Sequence, residues 1–324
     1  WAVRVSFRFI AFFLCCIVAL ERKDLPKIIN IIEKAYIINF IVILFQYFVQ
    51  GYNQDYLGGI FGTEQGCNGQ LNLFIVLVLS LQVIKYFEKK TNLYVLSLFI
   101  TFAFIIAALS ELKVVYLELV IILLLAVCLY KPSWKMFITV GIFSLGLIVG
   151  MITLKNVFPK SYDFFFDQEE MRNYLSASWI KGVQVTRTTG FDVINNCFFQ
   201  NDVLKKIIGL GFGKCEVSTF FSSDFADRYS NTSYRQFTFA MQYLETGAVG
   251  LMLYIFFFIS ILLKSATLKL SAGYSYLKKY LSILVPLIII NIWYNDSCKT
   301  EVAYLLFCLL SFVGVVTKEE KNDT

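Results

Sequence analysis

Residues 246–263 read TGAVGLMLYIFFFISILL, eighteen positions between Glu245 and Lys264 with no charge among them. A helix that crosses a bilayer needs about 20 predominantly apolar residues. With its flank from 237 this run is read as one membrane span. Working outward, eight further runs meet the same criterion, at roughly 3–20, 28–49, 68–86, 93–110, 114–130, 135–154, 280–295 and 301–316. The expected fold class is all-α: a polytopic integral membrane protein of about nine transmembrane helices. It has a large helical extracytoplasmic loop, residues 155–236, inside a single membrane domain, residues 1–324.

Composition agrees. The chain has 324 residues, 58% hydrophobic and 16% charged, with mean hydropathy +0.67. Soluble domains sit nearer half apolar and about a quarter charged. The surplus apolar surface exceeds what one water-facing core of this size can bury, so lipid must take part of it. The net charge of +6 has a topological explanation. The connections 21–34, 85–92, 131–135, 264–279 and the tail after 316 carry clustered Lys and Arg, whereas 50–67, 111–113 and 295–300 carry only Lys113 and Lys299. The two sets alternate along the chain. Short basic loops stay in the cytoplasm, which directs residue 1 and the 155–236 loop outward. That loop holds ten Lys or Arg, but long loops cross regardless of charge. Residue 1 is Trp, so the natural start and one or more earlier spans are expected to precede it.

Several chemistries find little support. There is no His, and no Cys pair has CxxC spacing, so no zinc site and no metal is expected. Cys15, Cys16, Cys128 and Cys308 lie in apolar runs, where Cys acts as a small hydrophobe. Cys197 and Cys215 could bridge the loop in an oxidising compartment, although the reading favours two free thiols. The run Gly209-Leu210-Gly211-Phe212-Gly213 lacks the strand and helix of a dinucleotide fingerprint and is read as a tight turn closing an interfacial helix. Helix-like stretches around 167–184 and 191–207, with Phe191, Ile194, Phe198 and Leu204 at helical spacing, are expected to lie on the membrane or cap the spans.

Charge in or near lipid is the sharper signal, because burying it is costly. Glu245 lies about ten residues into the 237–263 run, and Glu118 lies one turn beyond Lys113. Arg4 and Arg8 share a face of the first span. The loop adds Arg172, Arg187, Arg228 and Arg235. Arginine presents a planar donor fork that matches phosphate oxygens. Convergence of these groups would form a basic pocket at the outer membrane surface. The plainer readings are snorkelling for Arg4 and Arg8, helix pairing for Glu118, solvated surface for each loop arginine, and close helix packing for Gly247 and Gly250.

Four stretches, in order, resemble the bacterial O-antigen ligase and polysaccharide polymerase superfamily. They are Gly62-Thr63-Glu64-Gln65-Gly66-Cys67-Asn68 before a span; Ser110-Glu111-Leu112-Lys113 between two spans; Arg187 followed by Ile207-Ile208-Gly209-Leu210-Gly211-Phe212-Gly213; and Gln236-Phe237 followed by Glu245-Thr246-Gly247-Ala248-Val249-Gly250. The ligase branch typically has His where Gln236-Phe237 stand, which directs the resemblance to the polymerase branch. That branch implies a metal-independent glycosyltransferase with no cofactor in the bacterial plasma membrane. It transfers a growing glycan from polyprenyl diphosphate to a sugar hydroxyl of another lipid-linked repeat, in O-antigen, capsule or exopolysaccharide synthesis. Implied partners are the polyprenyl-diphosphate-linked oligosaccharide, the lipid bilayer, a chain-length regulator and a flippase, with no nucleic acid. Arg187 and Arg235, backed by Lys113 and Arg172, are then expected at the diphosphate, and Glu245 as general base. A ligase-type transferase and a transporter or flippase of lipid-linked sugars are the alternatives.

Overall fold

The structure is a computed structural model that describes residues 2–176, 183–217, 222–271 and 273–322. Every element of regular structure among the described residues is helical. In chain order the α-helices are α1 (Ala2–Ala19), α2 (Leu25–Phe48), α3 (Asn68–Phe87), α4 (Leu93–Leu109), α5 (Lys113–Leu129), α6 (Trp134–Val157), α7 (Pro159–Asp163), α8 (Gln168–Ser176), α9 (Gly190–Val193), α10 (Val203–Ile208), α11 (Asp224–Tyr229), α12 (Thr238–Thr267), α13 (Tyr276–Tyr294) and α14 (Val302–Asn322). Among the described residues, six stretches are long and apolar enough to cross a membrane: Arg22–Phe48, Asn68–Phe87, Trp134–Val157, Thr238–Thr267, Tyr276–Tyr294 and Val302–Glu320. Phe7–Ala19 and Leu93–Leu109 are apolar but shorter.

The helices divide by what they bury. α3 is the central post: nearly all of its side chains are buried, and it contacts α2, α4, α5, α13 and α14. The outer helices expose their apolar faces. On α2 these are Ile31, Ile38, Ile41, Phe45 and Phe48; on α6, Leu145, Ile148, Val149 and Ile152; on α12, Val249, Met252, Leu253 and Phe256. In water such faces would cost about 25 cal/mol per Å², whereas hydrocarbon removes that cost. α6 lies close on α4 because Gly146 and Gly150 leave room for the Phe104 ring.

The connections gather at two ends. At one end Arg22 pairs with Glu319 at 3.4 Å, Lys279 with Glu88 at 2.6 Å, and Lys90 donates to the Gly273 carbonyl at 2.8 Å. At the other end the 50–67 connection folds against α2 and α3. Asn39 and Gln46, both buried in α2, bond the backbone of Ile60 and Gly59, and Asn68 bridges the Asp55 carboxylate and the Ser110 carbonyl.

The described residues of the segment 183–237 form a folded layer over this second end. The helix expected over 191–207 is interrupted: Gln200 and Asn201 adopt φ of 53° and 60°, separating a short π-helical turn, Ile194–Phe198, from α10. Ile194 and Phe198 are buried and Phe191 packs tilted against Phe239 and edge-on to Tyr243, but Leu204 is exposed with Val203, Ile207 and Ile208. Of the stretch expected over 167–184, α8 accounts for the first part, and 177–182 lie outside the described residues.

Candidate functional site

The site is assembled around the C-terminal end of α13 and the short connection Asn295–Thr300. The end of α13 and the strap are bonded to several distant parts of the chain. The Trp293 indole donates to the Arg187 carbonyl at 2.9 Å, and Arg187 Nε donates back to the Tyr294 carbonyl at 3.2 Å. The Thr238 amide and hydroxyl, at the start of α12, both donate to the Asn295 carbonyl at 2.9 Å. Ser297 donates its hydroxyl to Asn295 Oδ1 at 2.6 Å. Arg8 donates to the Lys299 carbonyl, and Lys299 Nζ pairs with Glu216 at 3.0 Å. The strap thus joins α1, the 183–237 layer, α12 and α13.

Beneath it runs a buried polar chain through the helices. Asn72 of α3 donates to Asn291 Oδ1 at 2.8 Å, and Asn291 of α13 donates to Glu118 Oε1 of α5 at 2.5 Å. Asn72, Asn291 and Glu118 are all fully buried. These bonds tie three helices together at the depth where the strap begins, while Asn72 Oδ1 and Glu118 Oε2 are buried without a hydrogen-bond partner among the described residues. The polar chain also answers the question of Glu118, which is a helix-pairing residue.

The cations are distributed as follows. The Arg187 guanidinium stacks 4.1 Å from the Tyr294 ring centroid and 5.3 Å from that of Phe237. Arg235 is exposed one turn before α12 and close enough to Asp296 to act on its charge. Arg8 lies over the Phe9 ring at 4.4 Å as it reaches the strap. Arg172 lines an open cleft of about 490 Å³ with Gln168, Met171, Leu175 and Thr188, next in sequence to Arg187. Lys113 is buried, pairs with Glu111 at 3.0 Å and lies 5.4 Å from the Phe164 ring. Arg228 is exposed at the end of α11. The side chain of Arg4 lies outside the described residues. Arg187, Arg235, Arg8 and Lys299 therefore meet at the strap, with Arg172 beside them, whereas Lys113 serves the α5 end.

Glu245 does different work from that of an open base. Its side chain is 3% exposed and accepts the Cys215 amide at 3.3 Å. It sits at a break in α12. Gly247 adopts φ 63° and ψ −164°, which interrupts the helix and leaves the Leu244 and Glu245 carbonyls without their helical donors. Leu210 and Gly211 of the glycine-rich run supply amides to them at 2.8 and 2.9 Å. Gly209 is in direct backbone contact: a Cβ there would stand 2.5 Å from the Thr246 nitrogen. The run read as a tight turn is a plug seated in a broken helix. Gly250 keeps a packing role, though within its own helix, against Thr246. Cys197 is exposed, Cys215 is buried, and both are free thiols.

Asp296 carries no local signal in the sequence, since one carboxylate in a short connection looks like solvated surface. The fold half-buries it against the first turn of α3, where a Cβ on Gly69 would stand 3.5 Å from its Oδ1. Burial pushes its carboxyl from the usual 3.8 up to about 6, against the opposing pull of its own amide, Lys299 and Arg235. Between about pH 4 and 6 the folded protein therefore binds more protons here than the unfolded chain. Stability is lost as pH rises through that window. Asp296→Asn is expected to melt higher than wild type at pH 7.5, by about 1–2 kcal/mol after allowing for partial exposure, and level with it at pH 4. Detergent-solubilised protein followed by intrinsic fluorescence checks both.

No family model, curated protein or solved structure matches this chain.

Proposed function

We propose that the chain polymerises lipid-linked oligosaccharide repeat units, moving a growing glycan from polyprenyl diphosphate to a sugar hydroxyl of another repeat. The observation that carries this reading is that Arg187, Arg235, Arg8 and Lys299 all lie along one short connection, 294–300, of a bundle whose outer helices expose apolar faces. A ligand with a diphosphate head and a polyprenyl tail matches both halves of that surface. The diphosphate is already a good leaving group. Catalysis then consists mainly of positioning and of stabilising developing negative charge.

In this reading nine helices, α1 to α6 and α12 to α14, cross the plasma membrane of a bacterium. The strap and the 183–237 layer face outward, and the basic connections face the cytoplasm. An impermeant thiol reagent applied to intact cells is expected to label the exposed Cys197 and to leave a cysteine introduced at Lys89 unlabelled until the cells are broken. Labelling at 89 in intact cells refutes the orientation.

The break at Gly247 favours a second reading, because transporters use broken helices to hold substrates and ions. Here the freed carbonyls are taken by the chain's own amides, which leaves them unavailable to an ion and supports the enzyme. The two are separated by deleting the chain from its cells. Loss of a polymerase leaves single lipid-linked repeats on the outer leaflet, and loss of a transporter leaves them on the inner one. A ligase leaves finished, unattached polymer.

A further inference from the structure

Resting on that reading, we infer that Asp296 is the base that takes the proton from the acceptor hydroxyl. Of the other carboxylates near the strap, Glu301 is exposed to solvent ahead of α14, and the rest are engaged. Glu245 holds the Cys215 amide and is 3% exposed. Glu118 is fully buried against Asn291. Glu216 is paired with Lys299, Glu111 with Lys113, and Asp55 accepts Asn68. Asp296 remains part-exposed on the strap, two residues from the carbonyl that orients Arg187.

The groups facing it come from four elements. Gly69 of α3 presents bare backbone, so no side chain covers the carboxylate on that side. Arg235, ahead of α12, and Lys299, within the strap, are the neighbouring cations; Glu301, ahead of α14, is the neighbouring anion. Lys299 is held back by Glu216. The absence of a direct salt bridge at Asp296 among the described residues leaves its oxygens able to accept a hydroxyl proton. Because Arg187 is anchored on the Tyr294 carbonyl two residues away, base and diphosphate contact fall on one connection.

The step balances. The acceptor O–H gives its proton to the Asp296 carboxylate, and the oxygen forms a bond to the anomeric carbon of the donor glycan. The bond from that carbon to the diphosphate oxygen breaks, and its electron pair leaves on polyprenyl diphosphate. Asp296 returns the proton to water. Burial raises the carboxyl toward the working pH, which suits a general base, and it sets where the rate must fall.

The test uses the full chain in lipid vesicles, supplied with repeat units extracted on their polyprenyl diphosphate from cells deleted for this protein. Wild-type extension is expected to rise with pH through an inflection near 6 and then level off. Asp296→Asn should extend at least about 100-fold more slowly, with no inflection there and with KM for the lipid-linked unit changed by less than about twofold. Asp296→Glu should recover part of the rate together with a pH inflection. A merely structural role would raise KM or lower the melting temperature instead, and that pattern overturns the assignment. Chain extension by Asp296→Asn at half the wild-type rate or more, with the inflection retained, overturns it as well and leaves the polymerase reading standing. Wild-type protein that extends no chain at any pH brings down the polymerase reading and this inference together.

Discussion

Arg187→Ala is expected to stop visible chain extension, lowering the rate by about 10² to 10³-fold, the usual loss when a fixed donor to developing negative charge is removed. The size of the effect follows from how the side chain is held. Nε is bonded to the Tyr294 carbonyl, and the plane lies on the rings of Tyr294 and Phe237. Two rings and one hydrogen bond fix the direction of the fork before any ligand arrives. Orientation is what a diphosphate clamp requires. Arg187→Lys keeps the charge but loses the planar, stacked fork, so it should recover only a small part of the rate. The measurement is the ladder of glycan lengths in cells, read beside the pool of single lipid-linked repeats, which should grow as the ladder disappears. Arg235→Ala should act in the same direction but less strongly, because Arg235 is exposed and Arg187 is part-buried. Normal ladders from both variants would remove these arginines from the mechanism.

The long helices were legible because an uncharged run of eighteen residues has few other fates. Outside those helices, Phe165 meets Tyr116 of α5 edge-on at 5.5 Å. The tertiary closure of the site was not legible. Asn291 meets Glu118 across 173 residues of sequence and Asn72 across 219. Nothing local marks three polar residues in apolar runs as partners. Glu245 drew attention as a charge inside a span. The break two residues later, which explains it, depends on a backbone conformation that a glycine permits but does not announce. Asp296 shows the converse. Its residue type and its short connection are ordinary, and only the approach of Gly69, Arg235 and Lys299 makes it a candidate for chemistry.

Gly247→Ala is expected to have the largest effect on stability. At φ 63° and ψ −164° the backbone is in a region essentially restricted to glycine, and a side chain there costs roughly 1–3 kcal/mol in strain. The added carbon would also stand 2.3 Å from the Ile207 carbonyl oxygen and 2.4 Å from its carbon. Those are backbone atoms of α10 and cannot turn aside as a flexible side chain would. Overpacking of this kind costs about 1–3 kcal/mol more. Relief requires α10 to lift away, and the amides of Leu210 and Gly211 then lose the carbonyls of Leu244 and Glu245. The sum, about 2–6 kcal/mol, is a large share of the 5–15 kcal/mol typical of a folded protein. Gly141→Ala is the control: it lies within α6, a Cβ there meets nothing within 4 Å, and alanine favours a helix over glycine by roughly 1 kcal/mol. In detergent the first variant should melt well below wild type and be cut by protease within 203–217, while the second should match wild type or exceed it. Equal melting of Gly247→Ala and wild type would mean that the plug is not seated in the helix break, and the account of Glu245 as the residue that holds it there would fall with it.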